Sequence, residues 1–235
     1  MDTDAVVIAA GRGGGGDSRL HLVRDNAQVV RSIARELAGY RGLLVVVTNP
    51  VDIMTQVAVE ASGLPPQRVI GTGTMLDTAR MRQVLGQRLD LEARSIHMHI
   101  VGEHGDSAVP LWAGARIGGV PLRDWPGWNR EDEPTIANTV RRAAYDIIRR
   151  KGATNHAIGL VTAALLRWAL RGERRVLTVS RVQEGALGVS GIALSLPSVV
   201  SHEGAVEVLE PEMDETEREA LERSADVLRK AKSEL

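Results

Sequence analysis

The 235-residue chain has no cysteine, no phenylalanine and only three lysines, Lys151, Lys230 and Lys232, against 26 arginines. Without thiols there are no disulfides, no thiolate metal sites and no cysteine nucleophile, a usage that suits a reducing cytoplasm. An excess of one charge is also lacking, since 29 basic side chains meet 30 acidic ones for a net charge of −1. Nucleic acid and anionic membranes both call for a concentrated basic face, so neither is expected as a partner. Few lysines beside abundant Ala, Val and Gly read as a coding bias, not as an arginine-based binding function. Long apolar runs are missing: the longest, Ala157 to Leu166, stops at Arg167, short of the ~20 residues a membrane span needs. Asp2 and Asp4 stand where a secretory leader would carry basic residues.

The composition, 43% apolar and 25% charged, is that of an ordinary globular protein of one or two domains. Asp4 to Ala10 reads as a strand, followed by glycines and a helix with Leu22, Val29, Val30, Ile33 and Leu37 on one face. Leu43 to Val47 reads as a second strand, Pro50 to Ala61 as a helix opened by proline, and Arg68 to Ile70 as a third strand. Strands apolar on both faces and alternating with helices predict a parallel α/β sheet. Beyond Gly71 the pattern turns to α+β. A helix is expected over Met75 to Leu89, then strands near Ser95 to Val101 and Val109 to Ile117. Helices over Glu133 to Arg150 and Thr154 to Leu170 follow, then antiparallel strands at Arg175 to Arg181 and Gly191 to Leu196. A charged amphipathic helix from Asp214 to Lys232 ends the chain.

The run from Gly11 to Gly16 fits the dinucleotide pattern G-x-G-x-x-G after a strand and before a helix. Four consecutive glycines fit many such patterns by chance, and the next strand ends in Thr48-Asn49-Pro50 where a ribose-binding acid would belong. A freely moving loop is the simpler reading, and the missing Lys-Ser/Thr pair excludes a Walker A loop. His104, between Gly102 and Gly105 just after a strand, is placed to exchange a proton near neutral pH, although loop histidines are common. Asp77 and Arg80 share one helix face, as either a solvated ion pair or a functional one. His97, His99 and His104 lack the carboxylate spacing of a zinc motif, and no metal is expected.

Taken together, several segments closely resemble the lactate/malate dehydrogenase family in order and spacing. They are Ala10-Gly11, Asp17 to Leu20, Thr48 to Asp52, Val69 to Gly73, Leu76 to Arg80, Gly102 to Asp106 and Lys151 to Thr154. The lactate-type branch, bacterial enzymes above all, fits better than the malate-type, on Gly102 to Ser107 and Arg19-Leu20. The resemblance implies a partial doubly wound, Rossmann-type parallel sheet in residues 1–71, the remaining half of a dinucleotide-binding domain. A catalytic α+β domain over 72–235 would follow, its helix near 154–170 packing back on the first. It implies hydride transfer between NAD and a small 2-hydroxy acid, most simply L-lactate and pyruvate. His104 would exchange the hydroxyl proton, Asp77 would orient the ring, and Arg19 would polarise the carbonyl from a closing loop. Arg80 would hold the substrate carboxylate with its planar fork, with Asn49 and Thr154 also lining the substrate site. Ala10, Gly11, Ser32, Val47, Thr48 and Asn49 match cofactor-contacting positions. Arg82 and His97 match positions for fructose 1,6-bisphosphate between subunits of a homo-oligomer, a dimer or tetramer. The alternative is a catalytically inactive relative acting through oligomerisation or partner binding.

Two departures stand out. The specificity position, six residues before Arg19, is Gly13 with Arg12 beside it, which leaves the preferred acid open. The family's first three strands, with the glycine fingerprint and ribose acid, do not precede Asp4. Ala5 to Ala9 would therefore be an open sheet edge, and NADH is expected to bind poorly to the chain as written.

Overall fold

The computed structural model describes residues 2–12, 19–151 and 155–235. The elements are β1 (Ala5–Ile8), α1 (Arg19–Arg35), β2 (Leu43–Val46), α2 (Val51–Ser62), β3 (Val69–Gly71), α3 (Met75–Leu89), β4 (Ile96–His97), β5 (Ile100–Val101), β6 (Val109–Pro110), β7 (Arg116–Ile117), β8 (Val120–Pro121), α4 (Glu133–Lys151), α5 (Asn155–Leu170), β9 (Arg175–Glu184), β10 (Ser190–Ser201), β11 (Gly204–Val208) and α6 (Glu215–Ser233). β1, β2 and β3 are parallel neighbours, Ala5 opposite Leu43 and Leu44 opposite Val69. The sheet continues past Gly71: β9 runs antiparallel beside β3, and the order is β1-β2-β3-β9-β10-β11. β1 is one edge, with Val7 38% exposed.

β2 explains the layering. All four of its residues are buried, as in a strand covered on both faces. Leu44 and Val46 join a core with Val30 of α1, Met54 of α2, Leu196 of β10 and Leu221 of α6. Leu43 and Val45, pointing the other way, pack with Ile70, Val179 and with Leu165 and Ala169 of α5. A separate core gathers Met81 and Leu85 of α3, Ile136 and Val140 of α4, and Ile96, Met98 and Trp112.

The helices begin near their sequence signals. α6 starts one residue past Asp214, whose carboxylate accepts the Glu217 N–H at 3.0 Å while Glu217 takes the Asp214 N–H at 3.1 Å, a reciprocal cap. The strands differ more. Each expected strand at Ser95 to Val101 and Val109 to Ile117 breaks into two short ones in different sheets, β4 with β7 and β5 with β6. Side chains take the main-chain groups that a continuous ladder would need. The Arg82 guanidinium binds the Met98 carbonyl at 3.0 and 2.9 Å. The Glu217 carboxylate accepts the Trp112 and Ala113 N–H groups at 2.7 and 3.0 Å. β11 was not foreseen, and its entry depends on Gly204 at φ +99°.

A Cβ at Gly204 would lie 1.8 Å from the Gln67 carbonyl oxygen, in a backbone region that also strains any side chain. Gly204→Ala is expected to lower stability by about 2 kcal/mol or more, read as a drop in the urea midpoint. An unchanged midpoint would show that β11 and the turn before β3 do not pack as described.

Candidate active site

The loop after β5 carries His104, and three elements pin it. Gly102 exchanges both main-chain hydrogen bonds with Ser195 of β10, at 2.8 and 3.0 Å. The Ser224 hydroxyl of α6 accepts the Glu103 N–H at 2.8 Å, and it approaches so closely that a Cβ at Gly102 would lie 2.6 Å from it. Asp52 of α2 accepts the His104 N–H on Oδ2 at 2.7 Å. Within the loop, the Ser107 hydroxyl donates to the Glu103 carboxylate and lies 3.0 Å from that of Ser224.

α3 approaches from the other side. The Thr74 hydroxyl donates to the Ile100 carbonyl at 2.5 Å, and the Thr78 hydroxyl accepts the Ile100 N–H at 3.0 Å. These bonds stitch the first turn of α3 to β5 and set Asp77 against the imidazole, its Oδ2 2.6 Å from His104 Nδ1. Arg80, one turn on, places Nη1 3.6 Å from Asp77 Oδ1. Their side chains are 28% (His104), 13% (Asp77) and 15% (Arg80) exposed, so the pair is partly desolvated yet reachable. Burial alone would lower the His104 pKa. The Asp77 hydrogen bond and charge, helped by Asp52 and opposed by Arg80, outweigh it and hold the ring above its ordinary 6.5. Asp77 thus fixes the tautomer, and Nε2 is the ring atom left to give or take a proton.

His104 lines a cavity of about 570 Å³ with Val23 of α1, Ile53 of α2 and Val227 and Ala231 of α6. Ala10, Gly11, Val47, Thr48 and Asn49 gather at the carboxyl ends of β1 and β2, where open α/β sheets take ligands. The Thr48 hydroxyl donates to the Ala10 carbonyl at 2.7 Å. A Cβ at Gly11 would collide with Thr48 Cγ2 at 2.7 Å and Asn26 Oδ1 at 2.9 Å, so only glycine lets the main chain lie this close. Ala10, Gly11 and Asn49 are exposed. This narrow glycine cradle with open main chain fits the nicotinamide end of a dinucleotide.

The other sequence candidates fall elsewhere. Ser32 lies on the exposed side of α1, its hydroxyl donating to the Val29 carbonyl at 2.8 Å. Arg82 and His97 sit apart from the His104 loop: Arg82 holds Met98, and His97 is exposed at the end of β4. His99, which does not share a strand with His97, is pushed down to about 4, by burial first and then by the charges of Arg82 and His97. Arg19 opens α1, but its side chain, Gly13 and Thr154 lie outside what the structure describes. Among the described residues, no three His, Asp or Glu side chains are grouped to hold a metal, and no helix is long and apolar enough to cross a membrane.

Sequence reasoning missed two residues. Asp52 stands inside a quoted segment with no role given, because an acid in the first turn of a helix ordinarily serves the helix dipole. Asn26 reads as one polar position on α1. It is buried, accepts the Arg12 N–H at 2.6 Å and donates to the Asn49 carbonyl at 3.0 Å. Only its position on the buried face of α1, beside Ala27 and Val30, could have marked it.

Residues 1–71 match the family model for the lactate/malate dehydrogenase NAD binding domain, and residues 74–235 that for the lactate/malate dehydrogenase alpha/beta C-terminal domain. The chain is 43% identical over 231 residues to an L-lactate dehydrogenase of Synechococcus sp., covering 97% of this chain and 76% of that one. It is 44% identical over 238 residues to that of Thermus aquaticus, covering 98% and 77%. A minor L-lactate dehydrogenase from Enterococcus mundtii, solved in a ligands-bound form, superposes with TM-score 0.95 at 36% identity, over 99% of this chain and 76% of that chain. The likeness thus spans both segments and includes the loop and helix that hold His104 and Asp77: this chain belongs to the lactate/malate dehydrogenase family.

Proposed function

We propose that the chain is an NAD-dependent dehydrogenase of small 2-hydroxy acids, with L-lactate and pyruvate as the first pair to test. The observation that carries this reading is the 2.6 Å bond between His104 Nδ1 and Asp77, with Arg80 alongside, in a chain similar to L-lactate dehydrogenases over almost its whole length. NAD held at Ala10, Gly11, Val47, Thr48 and Asn49 would take up or supply the hydride at C2 of the acid.

The protein's own groups do the rest. His104 Nε2 takes the hydroxyl proton in oxidation and returns it to the carbonyl oxygen in reduction. Asp77 stabilises the charged ring, being a carboxylate too desolvated for water to screen fully. Arg80 offers two parallel N–H groups to the substrate carboxylate. Arg19, opening α1, supplies the positive charge that polarises the carbonyl, and Thr154 and Asn49 complete the substrate site. With glycine, the smallest residue, at the specificity position Gly13, larger 2-oxo acids than pyruvate are expected to be accepted beside it. The exposed apolar side chains of Leu160 (74%) and Val176 (43%) line a groove that also contains Arg82. The apolar part of this groove supports a homo-oligomer; fructose 1,6-bisphosphate near Arg82 and His97 as its regulator rests on the family resemblance, since His97 is not among the residues lining the groove.

The test is pyruvate reduction by the purified chain at saturating NADH, beside an NADH titration. A folded chain with no turnover would favour the non-catalytic alternative. His104→Asn is expected to lower kcat by about a hundredfold or more, and Asp77→Asn by less, since the ring remains; near-normal turnover by the first variant would remove His104 as the proton carrier.

Arg80→Lys should raise the pyruvate KM about tenfold or more, a point charge replacing a two-point fork. An unchanged KM would place the carboxylate elsewhere.

The pH dependence has a definite sign. Reduction needs the protonated ring, so it should fall as pH rises through the elevated His104 pKa, and lactate oxidation should rise over the same range. Profiles of both directions that move together would contradict this assignment.

A further inference from the structure

His104 has a second carboxylate that the reaction above does not use. Asp52, in the first turn of α2, is 2% exposed, yet it borders the cavity beside the ring. Its Oδ2 accepts the His104 N–H at 2.7 Å. Among the described residues, its Oδ1 and the Ser180 hydroxyl of β9 both lack a partner of good hydrogen-bond geometry, although Ser180 lies near enough to favour the charged carboxylate. Burial raises the Asp52 carboxyl and Glu103 adds to the rise; Ser180, the His104 N–H and the His104 charge pull against them, and the carboxyl ends at about 6. The groups facing it are therefore His104 and Glu103 from the loop and Ser180 from β9. Asp77 and Arg80 act on the same imidazole from α3.

A buried carboxylate left short of partners is a costly way to hold one N–H, because a neutral amide would accept that bond without the desolvation. What an amide could not supply is negative charge. We propose that Asp52 is a positioning residue that acts through His104: its carboxylate fixes the loop carrying the ring and supplies a second charge that helps the ring keep its proton. The proposal rests on reading His104 as the proton-exchanging group and deepens it. Asp77 acts on the ring through Nδ1, while Asp52 acts through the main chain and through space. Because burial makes Asp52 titrate near neutrality, its support of the imidazolium weakens as it takes up a proton.

The experiment follows the His104 ring by NMR through a pH titration of the full chain, with its signal among the six histidines identified from the His104→Asn spectrum. Asp52→Asn keeps an acceptor for the N–H and removes the charge, so the His104 midpoint should fall by about half a unit or more. The alkaline limb of pyruvate reduction should shift with it. Ser224→Ala, which removes another loop anchor and no charge, should leave the midpoint in place. A wild-type midpoint in Asp52→Asn, or an equal fall in Ser224→Ala, overturns the proposal. Should Asp52→Asn not fold, Ser180→Ala serves instead: loss of its hydroxyl disfavours the Asp52 charge, so a smaller fall is expected and an unchanged midpoint again overturns the idea. The titration reads the ring whatever the chain catalyses. A fallen midpoint without turnover would leave Asp52 in place and sink the dehydrogenase reading alone.

Discussion

The structure depends on bringing a carboxylate from α3 within 2.6 Å of an imbedded loop imidazole and keeping both half-desolvated. Neither partner is placed by its own segment. Asp77 is fixed because Thr74 and Thr78 bond both main-chain groups of Ile100, and His104 because β10, α2 and α6 each take one hold on its loop. A hydrogen bond of this kind gains strength where water is thin, so the surrounding packing serves the chemistry directly. The six-stranded sheet is the platform: it orients α2 from one core, while its β9 and β10 strands carry Ser180 and Ser195 to the loop.

Much of this was legible in the sequence. Apolar runs marked the parallel strands, and the Asp77-to-Arg80 spacing on a helix, with His104 between glycines, marked the site. Both signals are local: a strand covered on two faces has to be apolar, and residues three apart on a helix have to share a side. What was not legible depended on partners distant in the chain. The breaks at Met98 and Trp112 come from Arg82 and Glu217 taking main-chain groups, and no window around those strands contains that information for the second pair. The same applies to Asp52, 52 residues from the amide it binds. β11 was missed because its turn depends on a glycine conformation, and the residue type alone permits many.

The two families of anchors also differ in kind. Around α4 and the start of α6, Arg123 grips Glu133 at 2.9 and 2.8 Å and Asp214 at 3.0 Å. That ion network is satisfied and rigid, and it raises the Arg123 pKa. Beside His104 the Asp52 carboxylate is left under-satisfied, its Oδ1 unpartnered among the described residues. Unmet electrostatic demand beside an imidazole makes the imidazole responsive, whereas a closed network would make it inert.

Asn26 has a mechanical consequence. One amide holds the Arg12 main chain at both its N–H and carbonyl, at 2.6 and 3.3 Å, and the Asn49 carbonyl at 3.0 Å. The segment leading into the glycine run and the segment leading out of β2 therefore share a single fastening. A displacement of the Arg12 main chain is transmitted along this lever to Asn49, so a change at one exposed position of the chain is felt at the floor of the site.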